Sequence, residues 1–177
     1  MKDILRKLKL IDSFTIKLEL SRADFVNNLQ NITDKGHIGM FSDSLDAFSS
    51  SKKELKGHID YNGFKIKKRR RFLENNFHMA TASGTISESE GNLQIETEIS
   101  GFNNFILMFY IFLIVFYLIL IFNVWNFDNN SDFFPTSLLI FHGTLMFSIP
   151  YFMMRRSVKR LKYELEREFF YLTKKNK

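Results

Sequence analysis

The sequence predicts an integral membrane α+β protein. We expect an N-terminal cytoplasmic antiparallel β-sheet domain with one short helix, then a two-helix transmembrane hairpin and a C-terminal cytoplasmic amphipathic helix. The deciding observation is two stretches, residues 105–125 and 135–154, that contain no Lys, Arg, Asp or Glu. Each has about 20 residues, which at about 1.5 Å per residue crosses a hydrocarbon layer of roughly 30 Å. The rest of a 177-residue chain is too small to bury both.

The soluble part begins with a strand followed by a helix. Residues 14–20 alternate apolar and polar side chains, as a strand with one buried face does. Ser21 stands three residues before Asp24, which is typical of an N-terminal helix cap. A short helix is therefore expected over residues 22–33, with Gly36 ending it. Residues 37–51 show no period and are expected to form a mobile loop.

Two hairpins complete the predicted sheet. The dipeptide Asn62-Gly63 separates two alternating segments and supplies the two positive φ values that a type I′ turn needs. A second hairpin turns at Glu90-Gly91. These patterns favour one antiparallel domain over residues 13–101, and whether the sheet closes into a small barrel stays open. The hairpin strands are residues 55–61, 64–66, 77–88 and 92–100.

The N-terminal segment, residues 1–12, places apolar side chains at helical spacing among basic ones. The apolar positions are Ile4, Leu5, Leu8 and Ile11. Such a segment is typical of an interfacial helix lying on a bilayer. A helix that packs on the sheet gives the same pattern, and the two readings remain alternatives.

The segment after the second apolar stretch, residues 155–177, indicates an assembly helix. Its apolar residues fall near heptad a and d positions, and oppositely charged residues stand four apart. The apolar side could cover the sheet of the same chain or pair with another copy. Because the sheet domain is small, we expect a homo-oligomer or a complex with another membrane subunit. The apolar positions are Val158, Leu161, Leu165 and Leu172, and the charged pairs are Arg160 with Glu164 and Lys162 with Glu166.

Charge asymmetry predicts the orientation. The connection over residues 126–134 carries Asp128 and Asp132 and no Lys or Arg, whereas the segments before and after the hairpin are basic. Positive charge resists translocation, so both termini are expected in the cytoplasm. The chain has no cysteine, which excludes a disulfide framework and fits a reducing compartment. Heavy use of Phe, Ile, Lys and Asn is typical of an AT-rich bacterial genome, and the expected location is therefore a bacterial inner membrane.

One dense basic run is the main binding candidate. On a strand Lys65, Lys67 and Arg69 would share one exposed face. Anionic lipid headgroups are one expected partner, at about 1 kcal/mol per basic residue. There are two alternatives. The run binds a phosphorylated ligand such as a nucleotide, or it only sets the membrane topology and pairs with Glu88, Glu96 and Glu98. Nucleic acid is disfavoured because no aromatic residues interleave. The run comprises Lys65, Lys67, Lys68, Arg69, Arg70 and Arg71.

His142 is the intramembrane candidate, because an ionisable group within an apolar span is costly and often functional. It would serve a proton relay or gating. The alternative is a structural hydrogen bond across the hairpin to Tyr117, Tyr110 or a backbone carbonyl.

The remaining motifs argue against catalysis. His37, His58 and His78 lie too far apart, without spaced carboxylates, to mark a metal site, and no cofactor-binding or nucleophile motif is present. We therefore expect a non-catalytic two-span protein whose cytoplasmic domain binds a protein partner or anionic lipid, as an accessory subunit or scaffold. The alternative is a ligand-gated membrane effector, whose β domain senses a phosphorylated ligand and whose transmembrane helices then oligomerise to perturb the membrane.

Overall fold

The chain forms two compact units in a computed structural model. The sheet unit combines Met1–Gly101 with Met154–Lys177, and the apolar unit is Phe102–Met153. The C-terminal segment therefore belongs to the sheet unit, although it follows the apolar unit in the sequence. The structure describes residues 2–39, 51, 53–69, 79–89, 92–127 and 133–174.

Within these residues the sheet has six strands in the spatial order β1-β6-β5-β4-β3-β2. Neighbouring strands are antiparallel, except that β2 runs parallel to β3. The sheet is open, with β1 and β2 at its two edges. The strands are β1 (Ile11–Leu18), β2 (Thr33–Lys35), β3 (Leu55–Ile59), β4 (Gly63–Lys68), β5 (Thr81–Ser89) and β6 (Asn92–Ser100).

Two helices precede the hairpins, α1 (Lys2–Lys7) and α2 (Arg22–Ile32). The predicted cap of α2 is confirmed, since the Asp24 amide donates to Ser21 Oγ over 3.1 Å. The expectation that Gly36 ends this helix was wrong. The chain leaves the helix at Thr33 because residues 33–35 form β2 and pair with β3.

The first hairpin is present, but its turn lies one residue earlier than predicted. Asp60 and Gly63 exchange backbone hydrogen bonds of 2.8 and 3.4 Å, so Tyr61 and Asn62 form the loop. Neither has a positive φ, and the turn is therefore not type I′. Gly63 is required for a different reason: a Cβ there would lie 2.6 Å from the carbonyl oxygen of Gly84.

The second hairpin agrees with the expectation in its strands, β5 and β6. Its turn at Glu90-Gly91 lies outside the described residues. So do residues 77–78 and residues 40–50 of the expected loop.

Two long apolar helices follow the sheet, α3 (Asn104–Phe127) and α4 (Phe133–Lys174). Both are long and apolar enough to cross a membrane. Only 17% of the most apolar stretch of α3 and 6% of that of α4 are buried. A core helix of a soluble protein would be mostly buried. The second apolar stretch continues without a break into the C-terminal segment, since α4 is one helix of 42 residues with Pro150 inside it.

The C-terminal part of α4 completes the core of the sheet unit. Phe169 is fully buried, and its ring meets those of Phe14, Phe25 and Phe64 at centroid distances of 6.1, 5.4 and 5.8 Å. These rings come from β1, α2 and β4. Helix α2 and the end of α4 therefore share one hydrophobic core with the sheet.

Candidate functional site

One end of the sheet gathers much of its positive charge. The strand register aligns six residues in a row across β1, β6, β5, β4, β3 and β2: Ile11, Ser100, Thr81, Lys67, Lys56 and Asp34. We call the end of the sheet that this row marks, together with the chain segments that lie beside it, the basic end. Ser100 is the last residue of β6, so the chain leaves the sheet toward α3 at this end.

The predicted exposed face of the basic run is only partly present. Lys65 is exposed, but Lys67 and Arg69 retain only 6% and 9% of their accessible surface. The expectation that all three are exposed was therefore wrong. Their strand is internal, with β5 and β3 as neighbours, and Lys67 lies directly opposite the buried Lys56. Arg70 and Arg71 lie outside the described residues.

The acidic partners of this run also differ from the expected ones. Arg69 donates to Asp34 on β2 over 2.9 Å, and Lys68 donates to Glu164 on α4 over 2.8 Å. The three acids expected as partners bond elsewhere: Glu88 with Arg22, Glu98 with α1, and Glu96 with Gln94. A sequence cannot reveal Asp34 or Glu164 as partners because each contact joins distant segments.

Glu164 ties α4 to the sheet. Its Oε1 accepts from Lys68 Nζ over 2.8 Å and from Arg160 Nε over 2.9 Å. Burial raises the pKa of this carboxyl, but the two hydrogen bonds and the adjacent positive charges outweigh burial, so the pKa lies below its ordinary value of 4.5. The Arg160–Glu164 pair is the one expected from helical spacing.

Helix α1 lies at the basic end without burying any residue. Lys2 and Arg6 bond Glu98 of β6 over 2.9 and 3.3 Å, and the hydrogen bond from Lys2 is the main cause that lowers the pKa of Glu98. Ile4 of α1 and Leu8, one residue beyond its end, are 63% and 42% exposed, whereas Ile11, expected on the same helix, is buried at the start of β1. Among the two expected readings, this exposure disfavours a helix that packs on the sheet.

The chain segments at the basic end are held close together. The Gly101 amide donates to the Leu10 carbonyl over 2.9 Å. A Cβ on Gly101 would lie 2.8 Å from Val158 Cγ2 and 3.1 Å from the Met154 carbonyl oxygen. The first turns of the sheet-unit part of α4 therefore lie beside the start of β1. Exposed basic residues on these segments are Lys7, Lys9, Arg155, Arg156 and Lys159.

The expected assembly residues Val158, Leu161, Leu165 and Leu172 are all buried in the core of their own chain. Of the two expected alternatives, coverage of the same chain's sheet is the observed one. Ser157 Oγ strengthens this contact by accepting from the Met79 and Ala80 amides over 3.0 and 2.9 Å. The expected Lys162–Glu166 pair is replaced by Lys162–Asp12, which joins α4 to β1.

His142 makes one of the structural contacts that the sequence suggested. Its Nδ1 lies 2.6 Å from the Tyr117 hydroxyl, which links the two helices of the apolar unit. Tyr110 donates to the Phe147 carbonyl over 3.1 Å in the same unit. A Cβ on Gly143 would meet the Tyr117 ring at 3.4 Å, an ordinary van der Waals contact, so the approach does not depend on a glycine at this position.

The described residues contain no group of three or more His, Asp or Glu side chains that could hold a metal ion. His58 bonds Asp60 over 2.8 Å at the surface, and His78 lies outside the described residues. Comparison with protein-family models, with curated proteins and with solved structures finds no match to this chain.

Proposed function

We propose that the chain is a non-catalytic, two-span protein of a bacterial inner membrane, whose sheet unit is held at the cytoplasmic surface and binds anionic lipid headgroups through the basic end. In this proposal it serves as an accessory subunit or scaffold. The observation that carries the proposal is the position of the basic end, where the chain passes from the sheet to its apolar helices.

The exposed apolar side chains of α3 and α4 support the membrane part of the proposal. Met108, Phe112 and Phe122 of α3 and Ile140 and Phe141 of α4 are all largely exposed. Leaving each large side chain in water would cost roughly 1.5–3 kcal/mol relative to an apolar environment, and a hydrocarbon layer supplies that environment. The cation-free connection at residues 126–134 and the basic flanks support cytoplasmic termini.

Exposed cations and apolar side chains together support the lipid part. Lys7 and Lys9 lie beside exposed Ile4 and Leu8, and this combination is typical of segments at a membrane surface. Each basic residue near an anionic surface contributes about 1 kcal/mol. Lys67 and Arg69 are buried and are therefore assigned no direct contact with lipid.

The test places a label at Leu8. Because the chain has no cysteine, Leu8→Cys gives one attachment point for an environment-sensitive fluorophore. In full-length protein reconstituted into nanodiscs, emission should shift to the blue when phosphatidylglycerol replaces part of the phosphatidylcholine. High salt should reverse the shift, because it screens exposed charges.

The control label is Thr85→Cys, on an exposed position in the middle of β5 and farther from the basic end. It should report no difference between the two lipid compositions. Lys7→Gln with Lys9→Gln should remove most of the shift at residue 8. Equal emission from residue 8 in neutral and anionic nanodiscs would refute lipid binding by this end of the sheet unit.

A further inference from the structure

The outward face of the C-terminal part of α4 has an unusual composition. Between residues 155 and 172, every exposed position carries either a cation or an aromatic ring. The glutamates at 164 and 166 are partly buried, and Glu168, whose side chain is 36% exposed, pairs with Arg167 over 3.4 Å at the edge of this face. The exposed positions are Arg155, Arg156, Lys159, Tyr163, Arg167, Phe170 and Tyr171.

These side chains form a continuous stripe, which we call the aromatic-basic stripe. At about 100° per residue, positions 156, 159, 163, 167 and 170 fall within an arc of roughly 80°. The stripe extends about 22 Å along the helix axis from Arg156 to Tyr171. Tyr163 is 66% exposed and lies opposite the buried Leu161 and Leu165. Tyr171 is 57% exposed and lies about 80° around the helix from Tyr163, at the edge of the stripe.

Burial within the chain does not account for this composition. The sheet is already covered by the opposite side of the helix, where Phe169 fills the core. Tyrosine and arginine are the residues most enriched at binding hot spots, whereas glutamate is depleted there. An exposed cationic surface selects a partner of opposite charge, since complementary charges speed encounter and reject wrong partners.

We propose that the aromatic-basic stripe is a docking surface for an acidic segment of another protein. Rings at Tyr163 and Tyr171 would occupy gaps between side chains of that segment, and Lys159 and Arg167 would face its carboxylates. A membrane surface is the weaker candidate, because the cations and rings of the stripe are interleaved on one face, whereas a helix lying on a membrane segregates its charged and apolar side chains to opposite faces. The stripe differs from the buried heptad residues, so assembly does not require the core to open.

Photocrosslinking tests this surface. Benzoylphenylalanine replaces Tyr163 or Tyr171 in the full-length chain, expressed in the cells from which it comes, and replaces exposed Ser83 as a control. Both stripe positions should give an adduct with one protein, and mass spectrometry should place the crosslink in a segment with excess Asp and Glu. Ser83 should give no such adduct.

Charge variants then test the assigned chemistry. Lys159→Glu with Arg167→Glu should lower the adduct yield at residue 163 at least tenfold, and the milder Gln pair should lower it partially. Reversing the acids of the crosslinked segment to lysine should restore the adduct with the Glu pair. The matched control, Lys17→Glu with Lys35→Glu, changes exposed lysines of β1 and β2 and should have no effect.

Adducts with lipid alone, no adduct from either stripe position, or a yield insensitive to charge reversal would each overturn the docking proposal. This outcome is separable from a failure of the lipid proposal. The nanodisc shift at residue 8 should persist in the single variant Arg167→Glu, because Arg167 belongs to the stripe but not to the basic end, which includes Lys159.

Discussion

Single charged residues stabilise the packing of the C-terminal part of α4 against the sheet. Glu164 is the clearest case, since it accepts from Lys68 of β4 and from Arg160 one turn earlier in its own helix. The side chains of Lys68 and Glu164 are only 11% and 16% exposed, so water can replace neither partner well. Removing one partner from such a pair leaves the other charge poorly solvated.

Glu164→Gln should therefore destabilise the sheet unit by about 1–3 kcal/mol at neutral pH. The folded-state pKa of Glu164 is lowered, so its stabilisation is complete above the ordinary value of 4.5 and is lost as the pH falls through the lowered value. The difference between the wild type and Glu164→Gln should shrink accordingly below pH 4.5. Thermal unfolding followed by circular dichroism at several pH values measures it.

The control for this prediction is Glu168→Gln, which removes an exposed pair with Arg167 at 3.4 Å on the same helix. Exposed pairs contribute little, so its effect should stay below about 0.5 kcal/mol. An equal loss of stability in both variants would contradict the role assigned to Glu164.

At the scale of elements, local patterns were sufficient where local forces decide the structure. Alternation located β1, β5 and β6, and the Ser21 cap located the start of α2. The three-residue β2 carries no such pattern, because these residues become a strand only through their parallel pairing with β3. The turn register likewise depends on Gly84, a neighbour from another strand.

The candidate site divides in the same way. Composition identified the basic run, but exposure of Lys67 and Arg69 depends on the strands beside them. Heptad spacing located the apolar residues of α4, but the choice between a second copy and the chain's own sheet depends on tertiary packing.

Gly57 tests how strongly β3 depends on its backbone. Its φ is +155°, and a Cβ there would collide with the carbonyl oxygen of Lys65 on β4. Gly57→Ala should destabilise the sheet unit by more than about 1 kcal/mol, because the added carbon strains the backbone and separates β3 from β4. Hydrogen exchange of the β3 and β4 amides should accelerate.

The matched control is Gly39→Ala, where nothing lies within 4 Å of the added Cβ. Exchange in β3 and β4 should remain at the wild-type rate. Wild-type exchange in Gly57→Ala itself would show that the sheet adapts to a side chain at this position.

At the scale of the whole molecule, the membrane topology depends on the order of the segments along the chain more than on any single contact. The sheet unit draws its core from segments on both sides of the apolar unit, since Leu161, Leu165 and Phe169 pack with strands that precede α3. If α3 and α4 span a membrane, an even number of crossings returns the chain to the side where it began. The joint core thus requires both flanks on one side, in agreement with the charge asymmetry.

The orientation follows as a prediction for the intact chain. Because the connection at residues 126–134 lacks cations, a cysteine at Asn129 should react with an impermeant thiol reagent in intact cells. A cysteine at exposed Ser83 of β5 should react only after lysis. The cysteine-free wild type supplies the blank. The proposal places the two sites on opposite sides of the membrane. Labelling of residue 83 in intact cells, with residue 129 protected, would therefore show that the topology is the reverse of the proposed one.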